Sequence, residues 1–228
     1  MIYLKENDVL LFQGDSITHG GRVYSDWDMN HIIGHGYQAS LAARLGLENI
    51  ERHPEIINRG VSGDTVGKLF ARWHEDCLQV KPTILSILIG TNDTGVFLRT
   101  GVGPAPEQFD RSLRFLLDYT RDVLSDVKLI LGEPFRFYHP NSLKEPEGYE
   151  RDTRAIEVLR ENAAHVSQIA KDYGAVFVPY WGELEKYEKC HPAGHIVWDG
   201  VHPTYVGHEI MANLWYKTVD ESGILQQP

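Results

Sequence analysis

Cysteine is scarce in this chain of 228 residues, which contains only Cys77 and Cys190. Two cysteines cannot build the disulfide framework of a small secreted domain, and this pair lacks the C-x-x-C spacing of redox and zinc sites. We therefore expect both residues to be reduced, buried thiols.

The chain also lacks long apolar runs and an excess of positive charge. Lysine and arginine total 22 against 32 for aspartate and glutamate, and the net charge of −10 opposes nucleic-acid binding. The first apolar run follows several charged residues and is too short for a signal peptide or a membrane span. We expect a cytoplasmic protein that binds neither nucleic acid nor a membrane.

No internal repeat, low-complexity tract or long Pro/Gly/Ser linker divides the sequence, so we expect one domain over residues 1–228. Short apolar runs predict five strands, at residues 9–13, 54–59, 83–89, 127–132 and 175–178. The segments between them have helical periodicity. This alternation predicts an α/β fold with βαβ crossovers and a mostly parallel sheet covered on both sides.

Apolar side chains at three- and four-residue spacing mark the helix faces that should pack on the sheet. Two of these faces consist of Val66, Leu69, Phe70, Trp73, Cys77 and Val80, and of Phe109, Leu113, Leu116, Leu117 and Val123. Four stretches have no clear periodicity and are predicted to be functional loops. They are residues 20–35, 93–106, 134–150 and 180–203.

Polar turns follow the first three predicted strands. "GDSIT" (14–18) contains Ser16, and "GVSGDT" (60–65) and "GTND" (90–93) follow the next two strands. Because ligands of open α/β sheets bind outside the carboxyl ends of the strands, the three turns should share one functional edge. Each turn alone also has an ordinary interpretation: a helix cap at "GDS", a cap by Asp64, or an Asx turn at "TND".

The fourth polar stretch is "WDGVHP" (198–203), in which Asp199 precedes His202 by three positions. In a tight turn this spacing brings a carboxylate to one imidazole nitrogen, and the other nitrogen can then take a proton from a serine hydroxyl. Pro203 suits the first position of a following helix. We therefore predict Ser16 as nucleophile, His202 as base and Asp199 as its partner, with a capped helix start and a bystander histidine as the alternative.

Serine attack on an ester creates an oxyanion, which requires hydrogen-bond donors that are already in place. Gly63 can bring its backbone N–H close because it has no Cβ, and Asn92 offers a side-chain amide. The N–H of Ser16 itself is predicted at a helix-initiating turn. These three groups are the candidate oxyanion-hole donors. This chemistry requires no cofactor.

Other polar constellations are weaker candidates. Two histidine pairs, His31 with His35 and His191 with His195, have the i,i+4 spacing of metal ligands on a helix, but glycine or proline interrupts both and no third ligand is evident. We expect no metal site.

Acidic residues near the first strand invite a glycosidase-like carboxylate pair, for which the candidates are Asp15, Asp26 and Asp28. We favour Asp15 as a structural acid bonded to nearby backbone, and the other two as solvated loop charges.

"GDSIT", "NRGVSGDTV", "IGTND" and "WDGVHP" together resemble the four sequence blocks of the SGNH (GDSL) hydrolases, over residues 9–215. The resemblance implies a flavodoxin-like three-layer α/β/α sandwich with a five-stranded parallel sheet. It also implies catalytic Ser16, Asp199 and His202, with Ser16, Gly63 and Asn92 as oxyanion-hole donors. Thr18 stands where the G-x-S-x-G elbow of the α/β-hydrolase fold has its second glycine, which excludes that fold.

Within the family, the chain resembles the bacterial acetylxylan esterases in the close spacing of these blocks and in the additional block "ARW" (71–73). That implies O-deacetylation of small carbohydrates such as xylo-oligosaccharides, and it is compatible with a homo-oligomer. A lysophospholipase, thioesterase or broad carboxylesterase on the same scaffold is the alternative. A non-catalytic carbohydrate-binding module is the alternative from another class.

Residues around the predicted site are candidates for its support or its substrate pocket. Asp15 adjoins Ser16, and Arg22 can close the serine loop by binding carbonyls or, alternatively, grip an anionic substrate. Trp27 and Trp198 are candidate pocket walls. Further aromatic residues crowd the same loops, and at least half of the whole group is expected to be core: Tyr24, Tyr37, Phe135, Phe137, Tyr138 and Trp181.

Overall fold

Five parallel strands form one sheet where the apolar runs predict them, in a computed structural model that describes residues 1–25 and 27–226. Asp26, one of the acids considered above, lies outside the described residues. The strands are β1 (Val9–Gly14), β2 (Glu55–Asn58), β3 (Ile84–Leu88), β4 (Lys128–Gly132) and β5 (Val176–Val178).

The spatial order is β2-β1-β3-β4-β5, the flavodoxin-like order that was predicted. In this order β1 and β3 are neighbours, and Gly14 at the end of β1 is in register with Leu88 at the end of β3. The chain leaves β1 and β3 toward opposite sides of the sheet, so the crevice opens between them. The turns containing Ser16 and Asn92 therefore begin side by side.

Eight helices accompany the sheet in the described residues. They are α1 (Ser16–His19), α2 (Tyr37–Glu48), α3 (Val66–Ala71), α4 (Thr91–Thr100), α5 (Pro106–Val123), α6 (Pro146–Asp172), α7 (Tyr180–Glu188) and α8 (Tyr205–Ser222). Short 3₁₀ turns cover Ile50–Arg52 and Ser142–Lys144, and a π-helical turn covers His74–Leu78.

Successive side chains of the strands point to opposite faces and form two hydrophobic clusters. Leu10 and Phe12 of β1 face the cluster that contains α2 and α8, whereas Leu11 faces the cluster that contains α3 and α5. Central strands buried on both faces explain why their sequences are nearly continuous apolar runs. The result is the predicted three-layer α/β/α sandwich.

Three predicted loops contain helical segments. Residues 93–106 include most of α4, residues 180–203 include α7, and residues 134–150 include a 3₁₀ turn and the start of α6. In α4 the buried side chains are Thr91, Asp93 and Thr94, so an apolar period does not reveal this helix. In α7 only three apolar residues are buried over nine positions, which is too short a pattern to identify.

Several further sequence predictions were wrong in detail. Phe70 and Val123 were placed on buried helix faces, but their exposed fractions are 38% and 53%. Cys77 is buried as expected, whereas Cys190 is exposed, and both are free thiols. Helix α8 begins at Tyr205 with Thr204 as its cap, two residues later than Pro203. Pro203 instead forms an isolated antiparallel bridge with Val197.

None of the described helices is both long and apolar enough to cross a bilayer. The cytoplasmic location stays a prediction.

Candidate active site

The loop after β1 presents Ser16 at the first position of α1. Gly14 lies so close to β3 that a Cβ would collide with the carbonyl oxygen of Leu88 and with the Thr18 side chain, which explains the glycine. Asp15 caps α1 because its Oδ1 accepts a hydrogen bond of 3.0 Å from Ile17 N. The serine hydroxyl is therefore held at the carboxyl edge of the sheet.

Ser16 Oγ lies 2.8 Å from His202 Nε2, although the two residues are 186 positions apart in the sequence. On the other side of the ring, His202 Nδ1 lies 2.7 Å from Asp199 Oδ2. The remaining oxygen, Asp199 Oδ1, accepts the backbone N–H of His202 at 2.7 Å and of Val201 at 2.9 Å. The three side chains form a continuous hydrogen-bonded line that can carry a proton from serine to imidazole.

The Asp199–His202 pair sits in a small hairpin. Val197 and Pro203 form a β-bridge across it, and Trp198 N donates to His202 O at 3.0 Å. Gly200 stands in the left-handed region, with φ +83°, at a point where a Cβ would press on the backbone of residues 137–139. The closed hairpin is the local reason that the acid and the imidazole meet.

The hydrogen bond from Asp199 is the main cause that raises the pKa of His202 above its usual range, and burial opposes it. For Asp199, burial acts to raise the pKa, but the hydrogen bonds from the His202 ring and from two backbone N–H groups outweigh it and lower the pKa to about 2. Asp199 is therefore ionised near neutral pH, and it favours the protonated imidazole that forms when His202 takes a proton.

The three predicted oxyanion donors lie in the segments that follow β1, β2 and β3. Ser16 N is the first N–H of α1, and Gly63 lies in a turn with φ +80°, a left-handed conformation that favours glycine. A Cβ on Gly63 would meet no protein atom within 4 Å, so the backbone angle and not crowding by the protein requires glycine. Asn92, in the first turn of α4, donates from Nδ2 to Asp64 O at 3.0 Å and makes a longer contact of 3.4 Å with Asp15 Oδ2.

Two buried carboxyl groups adjoin these donors in the sequence: Asp15 precedes Ser16, and Asp93 follows Asn92. Burial raises the pKa of Asp15 to about 7, partly opposed by the hydrogen bond from Ile17 and by the charge of His202. Burial likewise raises the pKa of Asp93 to about 6, although its carboxylate accepts Val66 N at 3.1 Å. These acids hold the starts of α1 and α3, as the expected structural role of Asp15 requires.

The residues predicted to support the site or line its pocket have different environments. Arg22 is buried and donates from Nε to Gly60 O at 2.9 Å, so it ties the serine loop to the turn after β2. Trp198 is 57% exposed, and its ring stacks on His202 with centroids 6.2 Å apart. Trp27 is 85% exposed, and within the described residues no hydrogen bond or ring pairing joins it to Ser16, His202 or Trp198.

The other aromatic candidates divide between core and surface. Tyr37, Phe135 and Trp181 are buried, Tyr24 is exposed, and Phe137 and Tyr138 are half-buried. The rings of His191 and His195 lie 5.6 Å apart, but no group of three or more candidate metal ligands occurs within residues 1–25 and 27–226. Asp28 pairs with His31 at 2.9 Å, whereas Asp15 is buried and caps α1.

Sequence reasoning missed Arg72 and the side chain of Asp64. Arg72 Nε donates to Asp64 Oδ2 at 2.7 Å, and the cap of α3 is Thr65 instead of Asp64. The only signal in the sequence was the "ARW" block, which had no assigned role.

Comparison with known proteins identifies the family of this chain. The model of the GDSL-like Lipase/Acylhydrolase family matches residues 12–210. The chain is 30% identical to the acetylxylan esterase of Geobacillus stearothermophilus over 217 residues, which is 92% of this chain and 93% of that protein. It is 25% identical over 236 residues to the lipoprotein YqeF of Bacillus subtilis (strain 168), covering 96% of this chain and 90% of that protein.

Solved structures are similar as well. A crystal structure from Parabacteroides merdae ATCC 43184, assigned to the GDSL-like lipases, has a TM-score of 0.85 and 34% identity, covering 96% of this chain and 98% of that one. Axe2, the acetylxylan esterase from Geobacillus stearothermophilus, has a TM-score of 0.78 and 28% identity, covering 95% and 96%. Two other Axe2 structures are those of catalytic mutants in which a serine or an aspartate is replaced by alanine. The chain therefore belongs to the GDSL-like lipase/acylhydrolase family and is a carboxylic ester hydrolase.

Proposed function

We propose that the protein is a serine esterase that removes acetyl groups from small carbohydrates, such as acetylated xylo-oligosaccharides, through an acyl-enzyme on Ser16. The observation that carries the mechanism is the line from Ser16 Oγ through His202 to Asp199, with distances of 2.8 and 2.7 Å. A serine is a weak nucleophile until a base at hydrogen-bond distance takes its proton.

In the first step Ser16 Oγ bonds to the ester carbonyl carbon while its proton moves to His202 Nε2. Asp199 holds the ring in the tautomer whose Nε2 is free, and it stabilises the imidazolium that results. The carbonyl oxygen becomes an oxyanion. His202 then gives its proton to the departing alcohol oxygen, the C–O bond breaks, and the acyl group remains on Ser16.

The oxyanion is stabilised by the N–H groups of Ser16 and Gly63 and by the Asn92 amide. The 3.4 Å contact between Asn92 Nδ2 and Asp15 is long, so the N–H on that side is available to a better acceptor while the other stays on Asp64 O. In the second half of the reaction water gives a proton to His202 and attacks the acyl carbon. Acid is released, and the Ser16 hydroxyl regains its proton.

The choice of an acetylated sugar rests on two observations. The chain is 30% identical to an acetylxylan esterase over 92% of its length. Beside His202, the exposed ring of Trp198 offers a flat apolar surface of the kind that packs on a sugar ring. The acyl group is then the small acetate and the sugar is the leaving group.

Hydrolysis of nitrophenyl esters of increasing acyl length, beside acetylated xylobiose, tests the proposal, with Ser16→Ala as the control. We expect acetate to be preferred, acetylated xylobiose to be hydrolysed, and Ser16→Ala to be inactive while it retains the fold. A preference for long acyl chains would overturn the deacetylase assignment. Full activity of Ser16→Ala would overturn the mechanism.

A further inference from the structure

Arg72 binds four acceptors that come from three segments of the chain. It lies at the end of α3, just before the π-helical turn His74–Leu78. In addition to the 2.7 Å bond to Asp64, Nη1 donates to Gln13 Oε1 at 3.0 Å and to Asp76 Oδ2 at 2.9 Å, and Nη2 reaches Gly14 O at 3.4 Å. One guanidinium thus joins the end of β1 to the turn after β2.

These partners adjoin the groups that should stabilise the oxyanion. Gly14 is two residues before Ser16, and Asp64 directly follows Gly63. The backbone carbonyl of Asp64 also accepts the bond of 3.0 Å from Asn92 Nδ2. Gly63 and Asn92 are therefore each connected to Arg72 through Asp64, and Ser16 is connected to it through Gly14, two residues away.

The site requires the shape of a guanidinium as well as its charge. The side chains of Arg72 and Asp64 are only 18% and 6% exposed, so their charges are largely removed from water and need each other. A guanidinium presents its N–H groups as a rigid planar fork and can hold acceptors in several directions at once. The ammonium of a lysine is a compact point charge and cannot span the same acceptors.

The backbone around Arg72 departs from a regular helix. The pattern of the sequence predicts one helix from Val66 to Val80, whereas α3 ends at Ala71 and a π-helical turn follows. Gln13 connects with this turn because its Nε2 donates to Asp76 O at 2.7 Å. The irregular turn and the buried end of β1 thus hold Arg72 between them.

We propose that Arg72 is a positioning residue of the oxyanion hole: it fixes the turn of Gly63 and the Asn92 amide relative to the serine loop. The inference rests on the proposed function, because it assigns Arg72 to the transition state of that reaction. Arg72 touches no reacting atom, so its effect should fall on kcat and should leave KM nearly unchanged.

The test compares Arg72→Lys and Arg72→Ala with wild type by kcat and KM on nitrophenyl acetate and by the Ki of a trifluoromethyl ketone. Ser16 Oγ adds to that ketone, and the resulting alkoxide occupies the oxyanion hole. Loss of one oxyanion-hole donor lowers the rate about a hundredfold or more. Partial misplacement of the donors should therefore lower kcat, and raise the Ki of the ketone, by roughly tenfold to a hundredfold. Millimolar guanidinium should restore part of the kcat of Arg72→Ala.

Arg114→Ala is the matched control. Arg114 also binds two carboxylates, Asp110 at 3.0 Å and Asp172 at 2.8 Å, but it joins α5 to the end of α6. The Arg114→Ala substitution should lower the melting temperature without a change in kcat or in the Ki of the ketone. If Arg72→Ala does not fold, Arg72→Lys carries the comparison.

An unchanged Ki in Arg72→Lys, or an equal loss of kcat in Arg114→Ala, overturns the positioning role alone. A wild-type enzyme that hydrolyses no ester overturns the proposed function and this inference together.

Discussion

Asp199 holds His202 at two places at once: Oδ2 lies 2.7 Å from the ring Nδ1, and Oδ1 accepts the backbone N–H of the same histidine at 2.7 Å. One carboxylate therefore fixes both the backbone position and the ring orientation of the proposed base. The ring orientation depends on the hydrogen bond from His202 Nδ1, which requires an acceptor such as the carboxylate oxygen Oδ2. The backbone contacts need only a single oxygen.

Asp199→Asn should lower kcat by roughly a thousandfold to ten-thousandfold, because an amide nitrogen facing Nδ1 favours the wrong tautomer of His202. The fold should survive, since the asparagine oxygen still accepts the backbone N–H groups. Ester hydrolysis and circular dichroism measure the two effects. Asp28→Asn is the control, because Asp28 makes the same i,i+3 contact with His31 on the surface. Similar losses of kcat in both variants would remove Asp199 from the mechanism.

The pH profile of kcat/KM should rise through a pKa above the ordinary histidine value of 6.5, because Asp199 raises the pKa of His202 and only the neutral ring accepts the serine proton. NMR titration of the His202 ring should give a raised pKa in wild type and a lower one in Asp199→Asn. Equal ring pKa values would contradict the assigned cause.

The same pair contributes stability in a defined pH window. The raised pKa of His202 gives stability that is complete below 6.5 and is lost as the pH rises through the folded-state value. The lowered pKa of Asp199 gives stability that is present above 3.8 and is lost as the pH falls toward about 2. Urea unfolding of wild type and Asp199→Asn at a series of pH values should give the largest difference in the free energy of unfolding between pH 3.8 and pH 6.5.

Asp15→Asn should remove a loss of stability that wild type undergoes as the pH rises. Burial raises the pKa of Asp15 from 3.8 to about 7, so ionisation costs folding free energy as the pH rises between these values. Asparagine is neutral and retains an oxygen for Ile17 N. The difference in melting temperature, variant minus wild type, should therefore become more positive between pH 5 and pH 8. Parallel curves would mean that Asp15 is already ionised at pH 5.

Gly63→Ala should lower kcat beyond its effect on stability. Forcing alanine to the φ of +80° costs about 1–2 kcal/mol, and the new methyl group enters the open side of the turn that carries the donor N–H. Gly174→Ala is the matched control, with φ +61° and equally open space, in the turn before β5 at the other edge of the sheet. Both variants should lose similar stability, but only Gly63→Ala should lose kcat. Equal kcat values would exclude Gly63 as an oxyanion donor.

Trp198→Ala should raise KM severalfold for acetylated xylobiose and much less for nitrophenyl acetate, because the exposed ring beside His202 is the proposed sugar-binding surface. Trp27→Ala removes an equally large but more exposed ring that makes no ring pairing with the site in the described part of the chain. It should leave both KM values unchanged. The reverse result would transfer the sugar contact to the loop at residues 20–35.

Local sequence determined the strands and the pairing of Asp199 with His202. Buried parallel strands need apolar side chains on both faces, so five short runs were enough to locate the sheet. A carboxylate and an imidazole three residues apart can meet within one turn, so the sequence predicted this pair, and the closed hairpin and its packing on residues 137–139 bring the two groups together. The rule that ligands bind at the carboxyl edge also predicted that the turns containing Ser16 and Asn92 would share one edge of the sheet.

Tertiary structure alone decided the remaining features. Helix α4 buries polar side chains and has no apolar period, so its existence depends on the groups that pack around it. The exposure of Phe70, Trp27 and Cys190 depends on which neighbours cover them. The contact of Ser16 with His202 and the bonds of Arg72 to Gln13 and Gly14 join segments far apart in the chain. Their distances are set by the strand order and register of the folded sheet, which no local pattern encodes.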